Sequence, residues 1–151
     1  MTDFLRSAPG DAVIQAEGAF RAPVEKAWAA WTEADRLKQW FGADAADFSA
    51  MQADVRVGGA WRFDIPGDPP SWLEGEYLEV AENALLVFSW RHVAGDTATP
   101  TSQVSVSFRA TEGGCIVSLR HEGIQTEGGR TGVSHGWGNS FGRLAVLLEA
   151  A

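Results

Sequence analysis

The stretch Gly129 to Ala151, GGRTGVSHGWGNSFGRLAVLLEA, decides the fold. Within it Val133, Trp137, Phe141, Leu144 and Leu148 follow one another at spacings of four, four, three and four, which puts them on one stripe of an α-helix. Most of what precedes it reads as strands with one apolar side, and such a sheet needs a long apolar element laid across it. This helix is the only segment long enough. Gly132, Gly136, Gly138 and Gly142 interrupt it, each costing up to about 1 kcal/mol relative to Ala. They are expected to let the helix approach the sheet closely, leaving a thin spot for a neighbouring side chain or a ligand.

Upstream, Gly123 to Gly132 reads as a flexible connection. Before it, Cys115, Val117, Leu119 and His121 form one side of a strand. The turn Thr111-Glu112-Gly113-Gly114 joins this strand to another carrying Val104, Val106 and Phe108. Ala94 to Thr101 is polar and turn-rich, expected as a mobile loop at one end of the sheet. Leu86, Phe88, Trp90 and His92 line a further strand, and Glu82-Asn83 turns back to one over Trp72 to Val80. Pro66 to Ser71, PGDPPS, is a loop because its prolines remove ladder donors. Trp61, Phe63 and Ile65 alternate with polar neighbours, as do Met51, Ala53, Val55 and Val57, with Gly58-Gly59 turning between them.

Ala43 to Ala50 reads as a loop. Ahead of it come two short helices. The first opens at Ala22-Pro23, with Pro in the first turn and Val24, Trp28 and Trp31 on one face. Thr32 caps the second, which carries Leu37, Trp40 and Phe41 and stops at Gly42. Val13 to Ala19 suits a first strand, and residues 1–11 form a loose lead-in broken by Pro9 and Gly10. The expectation is one α+β domain over 1–151. Its strands form a curved antiparallel β-sheet wrapped around the C-terminal helix, with two short helices after the first strand. A helix crossing a concave sheet touches the rims first, so a cavity is expected between them.

Composition excludes several classes. With 151 residues, 45% hydrophobic and 21% charged, the chain can build a core without staples. Its formal net charge is −8, and its basic residues never cluster, which disfavours nucleic acid and anionic membrane surfaces. No apolar run approaches a membrane-spanning length, and Met1 to Gly10 lacks the pattern of a signal peptide. The lone Cys115 agrees with a reducing compartment, so a cytoplasmic location is expected. Seven Trp are a high count, and indoles suit either an aromatic core or the wall of an apolar pocket.

Strand parity collects Phe88, Trp90 and His92, Val106 and Phe108, and Leu119 and His121 on the side facing the helix. The two imidazoles there are either polar handles of a pocket or structural donors and acceptors in a core. His135 is two residues from Trp137, so it diverges from the apolar stripe by about 200° and belongs at the surface or rim. No two His share the close spacing of a metal motif, and we assign no metal and no cofactor. Glu74 and Glu76 share one parity, Tyr77 and Glu79 the other, and sequence leaves open which pair faces inward. An inward Glu76 would be desolvated and able to transfer protons. No Ser occupies a nucleophile elbow, and Cys115 reads as a buried, inert thiol.

Four stretches carry a resemblance. They are Ala22-Pro23-Val24-Glu25-Lys26-Ala27-Trp28 leading to Leu37-Lys38-Gln39-Trp40-Phe41; Asp54-Val55-Arg56-Val57-Gly58-Gly59 before Trp61 and Phe63; Gly75-Glu76-Tyr77-Leu78-Glu79-Val80; and Gly136-Trp137 followed by Leu144. In their order and spacing the chain resembles the family related to the C-terminal domain of the activator of Hsp90 ATPase, within the START-like (SRPBCC) helix-grip superfamily. The resemblance implies a deep apolar cavity in a superfamily of lipid carriers, hormone receptors, polyketide cyclases and chaperone partners. It supplies no shared catalytic residue. Full co-chaperones of this type carry a separate N-terminal domain for which the chain is expected to lack room.

The functional expectation is binding of a small hydrophobic or amphipathic molecule without assigned catalysis. Trp61, Phe63, Trp90, Phe108, Trp137 and Phe141 would form the apolar wall, and Tyr77, His92 and His121 the polar handles. Two alternatives stand beside it. One is a cyclase- or lyase-type enzyme using His121, His92 or Glu76 in the same cavity. The other is a protein-interaction module of the Hsp90-activator kind, presenting Trp72 beside the Pro-rich loop. A homodimer through an edge strand or helix is left open.

Overall fold

A computed structural model of the protein describes residues 4–41 and 51–150. Strand β1 (Val13–Phe20) is followed by α1 (Val24–Thr32) and the one-turn α2 (Ala34–Leu37). Then come β2 (Met51–Ala53), β3 (Ala60–Ile65), β4 (Ser71–Ala81), β5 (Leu85–Ala94), the two-residue β6 (Thr97–Ala98), β7 (Ser102–Thr111) and β8 (Gly114–Glu122), and last the long helix α3 (Glu127–Glu149). All strand pairs are antiparallel, in the order β1-β8-β7-β5-β4-β3-β2, with β6 on β5. The curved sheet grips α3, as expected from the period-two pattern of the strands and the stripe on the helix.

Inward positions alternate along each strand. Ile14, Ala16 and Phe20 on β1, Val104, Val106 and Phe108 on β7, and Cys115, Val117 and Leu119 on β8 are buried. Trp137, Phe141, Leu144 and Leu148 of α3 meet them in one continuous cluster that also takes in Trp31 and Trp40. Burying side chains of this size stabilises by about 1.5–3 kcal/mol each, which sets the helix position more firmly than its glycine-rich sequence could.

Several local expectations are corrected. Residues 4–11 are not loose: Phe4 is buried against Phe20 and Phe141, and Leu5 bridges Ala16 on the outer edge of β1. The Arg6 N–H donates to Gln15 O at 2.8 Å and the Glu17 N–H to Phe4 O at 2.8 Å, so an apolar anchor and backbone pairing cover that sheet edge. Pro23 sits at the N-cap of α1 rather than inside its first turn. Thr32 ends α1, its hydroxyl donating to Trp28 O, and Glu33 takes the N-cap of α2. Trp40 and Phe41 lie past the end of α2 in a turn. The strand expected over 51–57 stops at Ala53. There the Asp54 N–H donates to Ala60 O and the backbone folds into a turn, leaving Val57 exposed. The polar stretch 94–101 contains β6 and is tied down at Thr99, whose hydroxyl accepts from the His92 N–H. The long helix starts at Glu127, earlier than its apolar stripe suggests, because Thr126 caps it by accepting from the Gly129 N–H. The helix stop at Gly42 and the loop expected over 43–50 lie outside the described residues.

Candidate functional site

Helix α3 packs on β1 and α1, and a cleft opens between its N-terminal half and strands β4 and β5. It has two compartments that share Leu73, Trp90 and Val133 as a common wall. The inner one, about 140 Å³, is lined by Phe41, Leu73, Trp90, Gly132, Val133, Gly136, Trp137 and Ser140. The outer one, about 210 Å³, adds His92, Thr99, Pro100, Ser102, Ile124, Gln125, Thr126 and Gly129.

The helical side of the cleft comes from one face of α3. Gly129, Gly132, Val133, Gly136, Trp137 and Ser140 recur at helical spacing. Of the two expectations for the glycines, close approach of helix to sheet is corrected at Gly132 and Gly136, where a Cβ would meet nothing within 4 Å among the described residues, whereas the thin spot with room beside it is what these two positions form. They hold space open. The strand side comes from β5, where Trp90 and His92 point inward two residues apart, and from Leu73 of β4, the register partner of His92. Phe41 completes the inner wall. Ring centroids are 5.5 Å apart for Trp90 and Trp137, 5.8 Å for Phe41 and Trp137, and 5.9 Å for Phe41 and Trp90.

Behind this wall lies a closed polar relay. His121 is fully buried. The Trp137 indole N–H donates to its Nδ1 at 3.1 Å, and Ser102 Oγ lies 2.8 Å from its Nε2. An indole can only donate, so Nδ1 carries no proton and Nε2–H points at Ser102. The Ser102 hydroxyl passes the chain on to Trp90 O at 3.2 Å. Burial pushes the His121 pKa down to about 3, which keeps the ring neutral.

A sequence profile described as Activator of Hsp90 ATPase homolog 1-like protein matches residues 21–149. The chain belongs to this family. No curated protein matches it. Among solved structures, a protein from Chromobacterium violaceum is 21% identical, with a TM-score of 0.79 over 93% of this chain and 99% of the other. A Rhizobium leguminosarum protein is 23% identical, with a TM-score of 0.77 over 91% and 93%. DynU16, from the dynemicin biosynthetic locus, is 23% identical, with a TM-score of 0.73 over 93% of this chain and 48% of its own. At these identities the likeness shows the shared helix-grip fold. No helix among the described residues is long and apolar enough to cross a membrane.

Within this member of the Hsp90-activator-like family, the residues expected to form the site separate into two groups. Trp90, His92 and Trp137 line the cleft. The other six lie elsewhere. Trp61 and Tyr77 close a separate void of about 10 Å³ together with Trp31 and Phe88. Phe63 is fully buried behind Phe41, at 5.5 Å between centroids. Phe108 packs edge-on to Trp28 and Trp31, and Phe141 lies beneath Phe4, Phe20 and Trp31. His121 stands in the relay. Register answers the question left open for β4: Tyr77 pairs with Phe88 and is buried, whereas Glu76 is exposed on the outer face. Burial raises the Tyr77 pKa, with the Asp54 charge adding to it, and burial also pushes the Cys115 thiol up.

Trp72 lies on that same outer face but is not a free aromatic. The Arg62 guanidinium sits 4.2 Å above its ring. Its N–H lies 2.5 Å from Glu74 Oε1, and Arg91 Nε donates to the other oxygen of that carboxylate at 2.8 Å. The hydrogen bonds from Trp72 and Arg91 hold Glu74 below the usual carboxylate range. Sequence reasoning missed Leu73 and Phe41 as cleft residues, and it read Gly132 and Gly136 as a thin spot without counting them in the site. The glycines were legible: two of them four apart, beside Val133 and Trp137, mark a strip of helix without side chains.

Proposed function

We propose that the protein binds a small hydrophobic or amphipathic molecule in the cleft between β4–β5 and α3. The observation that carries this reading is the empty space at Gly132 and Gly136. A helix interior gives up about 0.5–1 kcal/mol per glycine, and no side chain of the described residues packs there to recover it. Stability forgone beside an apolar opening is the pattern of a site that needs the room. Trp90, Trp137 and Phe41 form its wall and His92 is the polar handle at the outer end. Phe63, Phe108 and Phe141 support that wall from behind. The relay through His121 supports a binding role over acid–base catalysis, since neither ring nitrogen is free and the ring stays neutral. The lone buried Cys115 fits a reducing cytoplasm.

Native mass spectrometry of freshly purified protein, compared with its denatured mass, tests the reading. A discrete extra mass is expected that falls away on denaturation and is missing from Gly136→Leu, whose side chain would enter the cleft. An adduct retained by a folded Gly136→Leu protein places the ligand elsewhere and ends the proposal.

A further inference from the structure

The walls of the cleft also constrain what it takes. The inner compartment, about 140 Å³, is close to the roughly 150 Å³ of an engineered apolar cavity that accepts benzene. Three aromatic rings and two aliphatic side chains surround it, which favours a flat ring that can meet their edges and faces. Among the described residues, none lining either compartment is Asp, Glu, Lys or Arg, so an ion entering would lose its hydration without a countercharge from them.

One indole on the cleft wall makes no hydrogen bond through its N–H to the described residues. The Trp137 N–H goes to His121, and those of Trp40 and Trp61 go to the backbone oxygens of Ala30 and Ser89. Trp90 is 9% exposed and lines both compartments, yet among the described residues its indole N–H has no hydrogen-bond partner. Among the described residues the fully buried indole N–H without a partner is that of Trp31, whereas the Trp90 N–H keeps contact with solvent. A ligand filling the cleft would displace that solvent, and a donor left unpaired there would lose its hydration without compensation. A ligand oxygen at the junction of the compartments would satisfy this one.

We infer that the ligand is an uncharged single-ring aromatic carrying an oxygen acceptor next to the ring. The ring lies in the inner compartment against Phe41, Trp90 and Trp137. The oxygen accepts from Trp90, and any further polar substituent extends toward His92 and Gln125. This inference rests on the reading of the cleft as a ligand site and adds the ligand's shape, charge and acceptor.

Acetophenone, ethylbenzene, benzoate and 1-decanol separate these elements. The readout is the ¹H–¹⁵N spectrum of the indole N–H groups, with the Trp90 signal assigned through Trp90→Phe. Acetophenone is expected to shift the Trp90 indole resonance and to bind roughly fivefold more tightly than its isostere ethylbenzene, the worth of one net hydrogen bond. Benzoate should leave the spectrum unchanged. Trp90→Phe should bring acetophenone down to the affinity of ethylbenzene, and Gly136→Leu should abolish binding of both. If 1-decanol binds in a manner blocked by Gly136→Leu and acetophenone does not bind, the aromatic inference is overturned while the apolar cleft stands. Equal affinities for acetophenone and ethylbenzene overturn the acceptor. If no probe shifts a cleft resonance, the inference and the proposed function fall together.

Discussion

His121 carries a consequence for stability that its position in the relay makes definite. The unfolded chain takes up a proton at this side chain near pH 6.5, while the folded ring resists protonation down to about pH 3. The unfolded state therefore binds more protons across that window, and stability falls as pH falls from 6.5 toward 3. Between pH 7 and pH 5 the loss from this one group is about 2 kcal/mol. Glu74, whose pKa is lowered, contributes with its own onset below the ordinary carboxylate value of 4.5 and stays outside that interval. Urea unfolding at pH 7 and pH 5 should show the drop in the parent protein and a flattened dependence in His121→Gln; an equal drop in both would refute the assignment. Strand parity placed His121, Trp90 and Phe108 on the inner side, and all three are buried there. Parity gives a side but not a depth. Whether an inward ring reaches open space depends on what α1 and α3 bring over it. Trp28 and Trp31 cover Phe108, and among the described residues nothing covers the cleft side of Trp90.

Glycines in two elements make the same lesson testable. In β4, Gly75 sits across from Trp61, and its missing side chain lets the Trp61 N–H reach Ser89 O at 3.0 Å. A Cβ at Gly75 would collide with both groups. In α3, Gly136 faces open space. The substitution Gly→Ala should therefore have opposite signs. Gly75→Ala should destabilise by about 1–3 kcal/mol through overpacking. Gly136→Ala should stabilise by up to about 1 kcal/mol, raising Tm by roughly 2–4 °C. Thermal unfolding of the two variants checks this, and a loss of stability in Gly136→Ala would show that the helix is pressed against a neighbour there. From sequence, both glycines look alike. The difference comes from the tertiary pairing of β4 with β3 and β5, and long-range pairing leaves little local trace. The same limit applies to β1, whose short alternating run is readable but whose partner, β8, lies at the far end of the chain.

Across the whole molecule, the two halves of α3 are held in different ways. The C-terminal half is buried through Phe141, Leu144 and Leu148. Lys26 Nζ caps it by donating to Leu148 O at 2.9 Å, and Arg143 Nε donates to Trp40 O at 3.0 Å. The N-terminal half borders the cleft and meets the sheet through Trp137, which donates to His121 and packs on Trp90. Its other side-chain tethers run to the lead-in and the β8–α3 connection: Ser134 Oγ donates to Pro9 O at 2.9 Å, Arg130 Nε to Gly10 O at 2.8 Å and Arg130 Nη1 to Ile124 O at 3.2 Å. The lead-in thus gives the cleft-side half an anchorage beside the one that Trp137 makes to the sheet. Removing those tethers with Arg130→Met and Ser134→Ala together should free the cleft side without unfolding the far end. Each bond contributes about 1 kcal/mol, so local opening of the N-terminal half should rise roughly tenfold or more. Amide hydrogen exchange resolved along α3 is the measurement. Faster exchange over residues 130–138, with 141–149 unchanged, is expected. A uniform increase along the helix would mean that α3 opens as one unit, and that the cleft cannot widen without loss of the core.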